Sequence, residues 1–424
     1  MKHSTIPGFR PVPRTGVIYV MHEAMQLGFT YDDERWANLG QGSPETGPIP
    51  EAPARIENLT INAASQQYSP IPGNTELRQA VADFYNQIHR RDRKSKYTLE
   101  NVSIAGGGRL ALTRLAAALG NINMGHFIPD YTAYEELLSV FKAFIPIPIL
   151  LDAESDYKIS IENLKKEILG RGLSALLISN PCNPTGQLIE GGDLQTWVDL
   201  ARECRCSLIM DEFYSHYVYT NSATDGYKLV SAAAFVEDVE SDPVIIIDGL
   251  TKNWRYPGWR ISWTLGPKAV IEAVASAGSF LDGGANHPFQ REALLLLEPQ
   301  IAVQETIAIQ KHFIEKRDYV LERLEKMGIG VDAVPDGAFY VWANLSNLPP
   351  PLNNGMSFFR EGLKEKVITV PGIFFDVNPD NRRSNARYQN YSRISFGPEM
   401  QKLVIGLDAI QRVIRKFNGK ETSS

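Results

Sequence analysis

Val244-Ile-Ile-Ile-Asp-Gly-Leu-Thr-Lys-Asn-Trp-Arg-Tyr-Pro-Gly-Trp-Arg-Ile-Ser-Trp263 opens with a β-branched run that reads as a buried strand. The strand runs into a polar turn presenting Lys252. Eight residues on, Arg260 precedes a second apolar segment, Ile261 to Leu265. A lone lysine between two strands is commonly a solvated surface residue. This one sits at the mouth of buried strands, followed by a fixed cation and a Pro257-Gly258 turn. That setting suits a lysine that forms a Schiff base and an arginine that holds a phosphate.

The flanking chain alternates strand and helix patterns from about residue 100 to 265. Strands are predicted near residues 102, 126, 145, 175, 207, 244 and 261. That order implies an α/β fold with a mostly parallel sheet and helices on both faces. Polar residues gather at the strand ends, where open α/β sheets bind ligands. Ser174-Ala-Leu-Leu-Ile-Ser-Asn-Pro-Cys-Asn-Pro-Thr-Gly186 is the most specific of these ends. Its prolines fix the backbone so that the Asn183 amide points one way. Ser207-Leu-Ile-Met-Asp-Glu-Phe-Tyr214 is another strand with a polar end. Val102-Ser-Ile-Ala-Gly-Gly-Gly-Arg-Leu-Ala-Leu112 gives a strand, a glycine turn and a helix start, which offers free N–H groups to an anion.

Taken together, these segments resemble the pyridoxal 5′-phosphate (PLP) enzymes of the aspartate aminotransferase fold, class I/II (fold type I). The likeness spans roughly residues 40–400. It implies a large domain with a mostly parallel seven-stranded sheet flanked by helices. A smaller α+β domain comes from the two chain ends. The expected division is an N-terminal arm and part of the small domain over 1–70, the PLP-binding domain over 71–300 and the C-terminal small domain over 301–424.

The resemblance also assigns roles. Lys252 forms the internal aldimine, and Arg260 grips the phosphate with Gly107, Gly108 and Arg109 around it. Tyr131 stacks on the pyridine ring, Asp211 pairs with its nitrogen, and Asn183 and Tyr214 bond the phenolate oxygen. Gly42 touches the substrate carboxylate, and Arg393, in Asn390-Tyr-Ser-Arg-Ile-Ser-Phe-Gly397, holds it bidentately. Tyr68 reaches the phosphate in the partner subunit's site, which implies a homodimer with shared active sites. The activity implied is transfer of an amino group from an L-amino acid to a 2-oxo acid. A β- or γ-eliminating lyase or a cyclase of the same fold is the alternative.

Two departures from the family pattern stand out. Glycine occupies positions 108 and 249, where side-chain hydroxyls usually help to hold the phosphate. Restoring one as Gly249→Ser is therefore expected to tighten PLP retention, unless the turn there needs a positive φ. No clear second arginine marks a dicarboxylate pocket, and Tyr19, Tyr134 and Tyr340 are read as lining an apolar or aromatic one.

The remaining features are plainer. The chain has 424 residues, 43% hydrophobic and 22% charged, with net charge −6 and pI about 5.8. That balance gives no case for nucleic acid. The basic run His89 to Lys96 reads as a solvated helix end, and Thr75 as the cap of a helix beginning near Glu76. Helices are predicted at Val17 to Leu27 and Ile301 to Lys326. Cys182, Cys204 and Cys206 are too few for a disulfide framework and lack metal-site spacing. Met1 to Pro13 shows no signal-peptide core, and no apolar run approaches membrane-spanning length. A cytoplasmic protein without a metal or a membrane partner is the expectation.

Overall fold

A computed structural model describes residues 16–220 and 226–421, with Pro7, Phe9, Val12 and Arg14. Most of Met1 to Pro13 lies outside the described residues. Helix α1 (Gly16–Gln26), strand β1 (Ala37–Asn38) and helix α2 (Thr75–Ile88) come first. Strands and helices then alternate as β2 (Val102–Ala105), α3 (Gly108–Ala118), β3 (Asn123–Ile128), α4 (Ala133–Val140), β4 (Ile145–Leu150), α5 (Ile161–Arg171), β5 (Leu173–Ser179), α6 (Gly191–Cys204) and β6 (Ser207–Asp211). Strands β7 (Val244–Gly249) and β8 (Ser262–Leu265) follow, then helices α7 (Lys268–Leu281), α8 (His287–Leu296) and α9 (Pro299–Lys326). The chain ends with β9 (Gly330–Val331), β10 (Tyr340–Asn344), α10 (Gly355–Lys364), β11 (Val367–Ile368), β12 (Val370–Pro371), β13 (Tyr391–Ser395) and α11 (Met400–Glu421).

The seven expected strands form one sheet in the order β2-β8-β7-β6-β5-β3-β4. Pairs from β4 through β7 run parallel, and β8 runs antiparallel to both β7 and β2. Every residue of β7 is buried, as its β-branched run requires of a central strand. Helices pack on both faces and complete the core. A smaller α+β unit joins the chain ends, since β1 pairs with β11, and β12-β13-β10-β9 form a four-stranded sheet.

Two local expectations are corrected. Thr75 is itself the first helical residue of α2, and Asn74 holds the N-cap position without a side-chain bond. The basic run is solvated at Arg91, Lys94 and Lys96 but not at Arg90 and Arg93. Arg90 is fully buried and donates to the carbonyls of Ala233 (2.7 Å) and Val236 (2.6 Å), while Arg93 Nε donates to that of Ala234 (3.0 Å). These cations satisfy backbone acceptors of the segment preceding β7, a need that local charge pattern cannot reveal.

Candidate active site

Sheet register brings the chemistry together. Ser179 pairs with Asp211, and Asp211 pairs with Ile247, so β5, β6 and β7 end side by side. Beyond β7 the chain turns, and Lys252 joins a cavity of about 660 Å³ that Asp211, Tyr214, Asn183, Arg260 and Arg393 also line.

Asp211 and Lys252 are perturbed in opposite directions. Burial pushes the Asp211 carboxyl up to about 6, against the pull of the Tyr134 hydroxyl, which donates to Oδ2 at 2.7 Å. Burial pulls the Lys252 ammonium down to about 7, aided by the Arg393, Arg260 and Arg109 cations and opposed by Asp211. Lys252 Nζ donates to the Gly42 carbonyl. A buried lysine with a lowered pKa is a nucleophile and a base near neutral pH.

One end of the cavity suits a phosphate. Gly107 has φ 95°, a backbone that disfavours side chains, and a Cβ there would overlap the Arg260 guanidinium. It stands at the N-cap of α3, whose first N–H groups have no intrahelical acceptor. Arg109, in the first turn, donates through Nε to the Tyr131 hydroxyl at 3.3 Å. Thr251 also lines the cavity, and its buried hydroxyl has no partner among the described residues.

The two glycine departures have packing causes. A Cβ on Gly108 would lie 2.5 Å from the Phe213 ring. A Cβ on Gly249 would lie 2.6 Å from the Ile261 carbonyl oxygen and 2.6 Å from Ser262 Cα, across the β7–β8 pair. Backbone cannot yield as a flexible side chain can, so a serine at 249 is excluded by close strand approach. The expectation that it would tighten PLP retention is therefore replaced by its opposite.

The other end suits a carboxylate. Arg393 is 1% exposed, donates from Nη1 to Asn183 Oδ1 at 2.8 Å and from Nη2 to the Gly40 carbonyl at 2.5 Å. Its guanidinium lies 4.2 Å from the Tyr340 ring centroid. No carboxylate partner holds it among the described residues. Gly42 is small because a Cβ would come within 2.5 Å of the Tyr340 hydroxyl. That hydroxyl shares a 2.8 Å hydrogen bond with Tyr214.

All the expected site residues except Tyr68 and Gly107 line this cavity, and Gly107 borders it through Arg260. Tyr68 stands 98% exposed on its own chain. Three tyrosines differ in what they do. Tyr340 lines the cavity as expected, its ring beside the Arg393 guanidinium and its hydroxyl bonded to Tyr214. Tyr134 lies behind Asp211 and bonds it. Tyr19 packs against Phe359 and Phe374 in the core instead of lining the cavity. Sequence reading also missed that α1 borders the cavity, through Val17, Ile18, Met21, His22 and Met25. Its apolar spacing was the available signal. Arg14 and Arg109 line the same space, so further arginines do reach it.

The residues present fit PLP. They offer an anion cradle at Gly107 and Arg260, an unpaired Thr251 hydroxyl, a buried carboxyl for a ring nitrogen and a lysine of lowered pKa.

Comparison with known proteins matches residues 34–410 to the model of the class I and II aminotransferases. A probable aspartate/prephenate aminotransferase of Aquifex aeolicus is 25% identical over 386 residues, covering 89% of this chain and 91% of that protein. Aromatic-amino-acid aminotransferase 2 of Thermococcus litoralis is 26% identical over 388 residues, covering 89% of this chain and 92% of that protein. Among solved structures, Thermus thermophilus aspartate aminotransferase with maleate superposes with a TM-score of 0.76 at 23% identity, covering 96% of this chain and 100% of that chain.

Proposed function

The chain belongs to the class I and II aminotransferases, and from that premise we propose that Lys252 takes PLP and Arg393 takes the substrate carboxylate. The amino group of an L-amino acid is thereby moved to a 2-oxo acid. The carrying observation is one cavity in which Lys252 and Asp211 have opposed pKa shifts between Arg260 and Arg393.

Bound PLP supplies an electron sink that makes the substrate Cα–H acidic. The chain's residues do the rest. Arg260, the α3 N-terminus and the Thr251 hydroxyl hold the phosphate dianion. Asp211 would pair with the ring nitrogen and hold its proton, its carboxylate aimed by the Tyr134 hydroxyl. Tyr131 would cover the ring face. Asn183 has its Oδ1 engaged by Arg393, which leaves its Nδ2 to donate to the ring's phenolic oxygen. Tyr214 donates there too, backed by Tyr340. Lys252 Nζ, as the free amine, would accept the proton from the substrate Cα and, as the resulting ammonium, would deliver it to C4′ of the cofactor. Nothing in the site favours elimination or cyclisation over amino transfer.

The working unit in this reading is a homodimer, because Tyr68 finds no role on its own chain. We divide the chain at about residues 70 and 300, with the PLP-binding domain between. A cytoplasmic location is supported by three free cysteines. No helix among the described residues is long and apolar enough to cross a membrane.

The test is covalent. Protein incubated with PLP, reduced with borohydride and digested should carry the label on the Lys252 peptide. Label on another lysine would overturn the assignment.

A further inference from the structure

Asn253 follows Lys252 in the chain and is fully buried. Its side chain reaches across to the segment after β6. Oδ1 accepts from the His216 N–H at 3.1 Å. Nδ2 faces the Glu212 carbonyl at 3.1 Å, the Ser215 hydroxyl at 3.0 Å and Asp248 Oδ1 at 2.8 Å. Glu212 and Ser215 flank Phe213 and Tyr214 and follow directly on Asp211. One amide therefore ties the lysine turn to the segment that carries the ring-nitrogen acid and the phenol.

The opposite side of the turn is pinned as well. The Lys252 carbonyl accepts from the Tyr217 hydroxyl at 3.0 Å and from the Arg255 N–H at 2.9 Å. Asp248 is itself fixed, since Oδ1 also accepts from the Gly249 N–H at 2.6 Å and Oδ2 from the Tyr85 hydroxyl at 3.2 Å. No hydrogen bond joins Asp211 to Lys252 directly among the described residues. Their separation is set by the backbone that carries them; Tyr217 bonds the two stretches through the Lys252 carbonyl, and Asn253 bonds them at the Glu212, Ser215 and His216 positions.

We propose that Asn253 is a positioning residue that holds Lys252 Nζ in register with Asp211 and Tyr214 for covalent attachment of the cofactor. The proposal rests on the reading that Lys252 takes PLP. A misplacement of about 1 Å in such a group costs about a hundredfold in rate.

The experiment measures the rate of borohydride-trapped PLP attachment to Lys252, by mass of the peptide, in the cofactor-free full chain. Asn253→Ala removes every contact. Asn253→Asp keeps the shape and the acceptor for the His216 N–H but loses the donor, so it serves if the alanine variant fails to fold. Asn101→Ala is the comparison. Asn101 is equally buried and donates to Glu240 Oε1 at 2.8 Å and the Gly266 carbonyl at 3.1 Å, remote from the cavity lining. The expected result is attachment slowed at least about tenfold in both Asn253 variants when folded, and within about twofold of the parent in Asn101→Ala at matched loss of thermal stability. Parent-like attachment in a folded Asn253 variant, or equal slowing in Asn101→Ala, overturns the proposal. Absence of attachment in the parent chain instead removes the cofactor reading on which it stands.

Discussion

Arg393 donates through Nη1 to Asn183 Oδ1 at 2.8 Å, joining residues 210 positions apart in sequence. In the proposed reading the bond couples the substrate and cofactor ends of the site, Arg393 serving the substrate carboxylate and Asn183 the cofactor's phenolic oxygen. The Arg393 Nε is buried and has no partner among the described residues.

Arg393→Ala should raise KM for every amino donor, since losing one buried charge-assisted contact costs about 2–5 kcal/mol. PLP retention after dialysis should be unchanged. A large loss of thermal stability with KM unaltered would make Arg393 a structural cation only.

Attachment of PLP should follow the Lys252 titration. With its pKa held at about 7, the amine is largely unprotonated above that pH, so attachment should rise through a midpoint near 7. Arg393 and Arg260 lower that pKa and Asp211 raises it. Arg393→Ala should therefore move the midpoint up, and Asp211→Asn should move it down. The linked stability has the corresponding sign. Between about 7 and 10.5 the unfolded chain holds the Lys252 proton more tightly, so this group makes stability rise with pH. Asp211 acts oppositely between 3.8 and about 6, where the folded chain holds its proton more tightly and stability falls as pH rises. Midpoints that shift in the reverse directions would contradict the electrostatics of the site.

Gly249→Ser should destabilise the protein by about 1–3 kcal/mol through overpacking against β8, and should loosen PLP. Gly108→Ser meets only the Phe213 ring, which can be trimmed. Pairing it with Phe213→Leu should recover much of the lost stability, whereas no small-side-chain change recovers Gly249→Ser. Thermal unfolding of the three variants checks this; equal recovery in both cases would refute the distinction between ring and backbone.

Tyr68 offers a test of the shared site. Its loop is held by the His287 ring donating to the Gln67 carbonyl at 2.9 Å and the Ser69 hydroxyl donating to the Ala285 carbonyl at 3.0 Å. The side chain nevertheless projects freely. Mixed dimers of inactive Tyr68 and Lys252 variants should regain activity, because one of their two sites carries neither defect. No recovery after confirmed subunit exchange would argue against the shared site.

The sheet was legible because each of its strands is a short apolar run ending in polar residues, and Val244 to Ile247 could be little else. Lys252, Asp211 and Asn183 were legible for the same reason, as polar groups at strand ends. What sequence could not show was contact between remote segments. Phe213 makes Gly108 necessary, and the Ile261–Ser262 backbone makes Gly249 necessary. Arg90 looked solvated because its acceptors at Ala233 and Val236 lie more than a hundred residues away. Tyr134 is three residues from Tyr131, in α4, yet faces Asp211 at the end of β6.

The most direct measurement is a half-reaction. PLP-loaded protein is mixed with an amino acid donor, without any 2-oxo acid acceptor, and its products are counted. The account predicts one equivalent of 2-oxo acid per subunit, matched by one of pyridoxamine phosphate, with no free ammonia and no further turnover until a 2-oxo acid is added. Continued turnover that releases ammonia and leaves PLP unchanged would contradict amino transfer and make the enzyme a lyase.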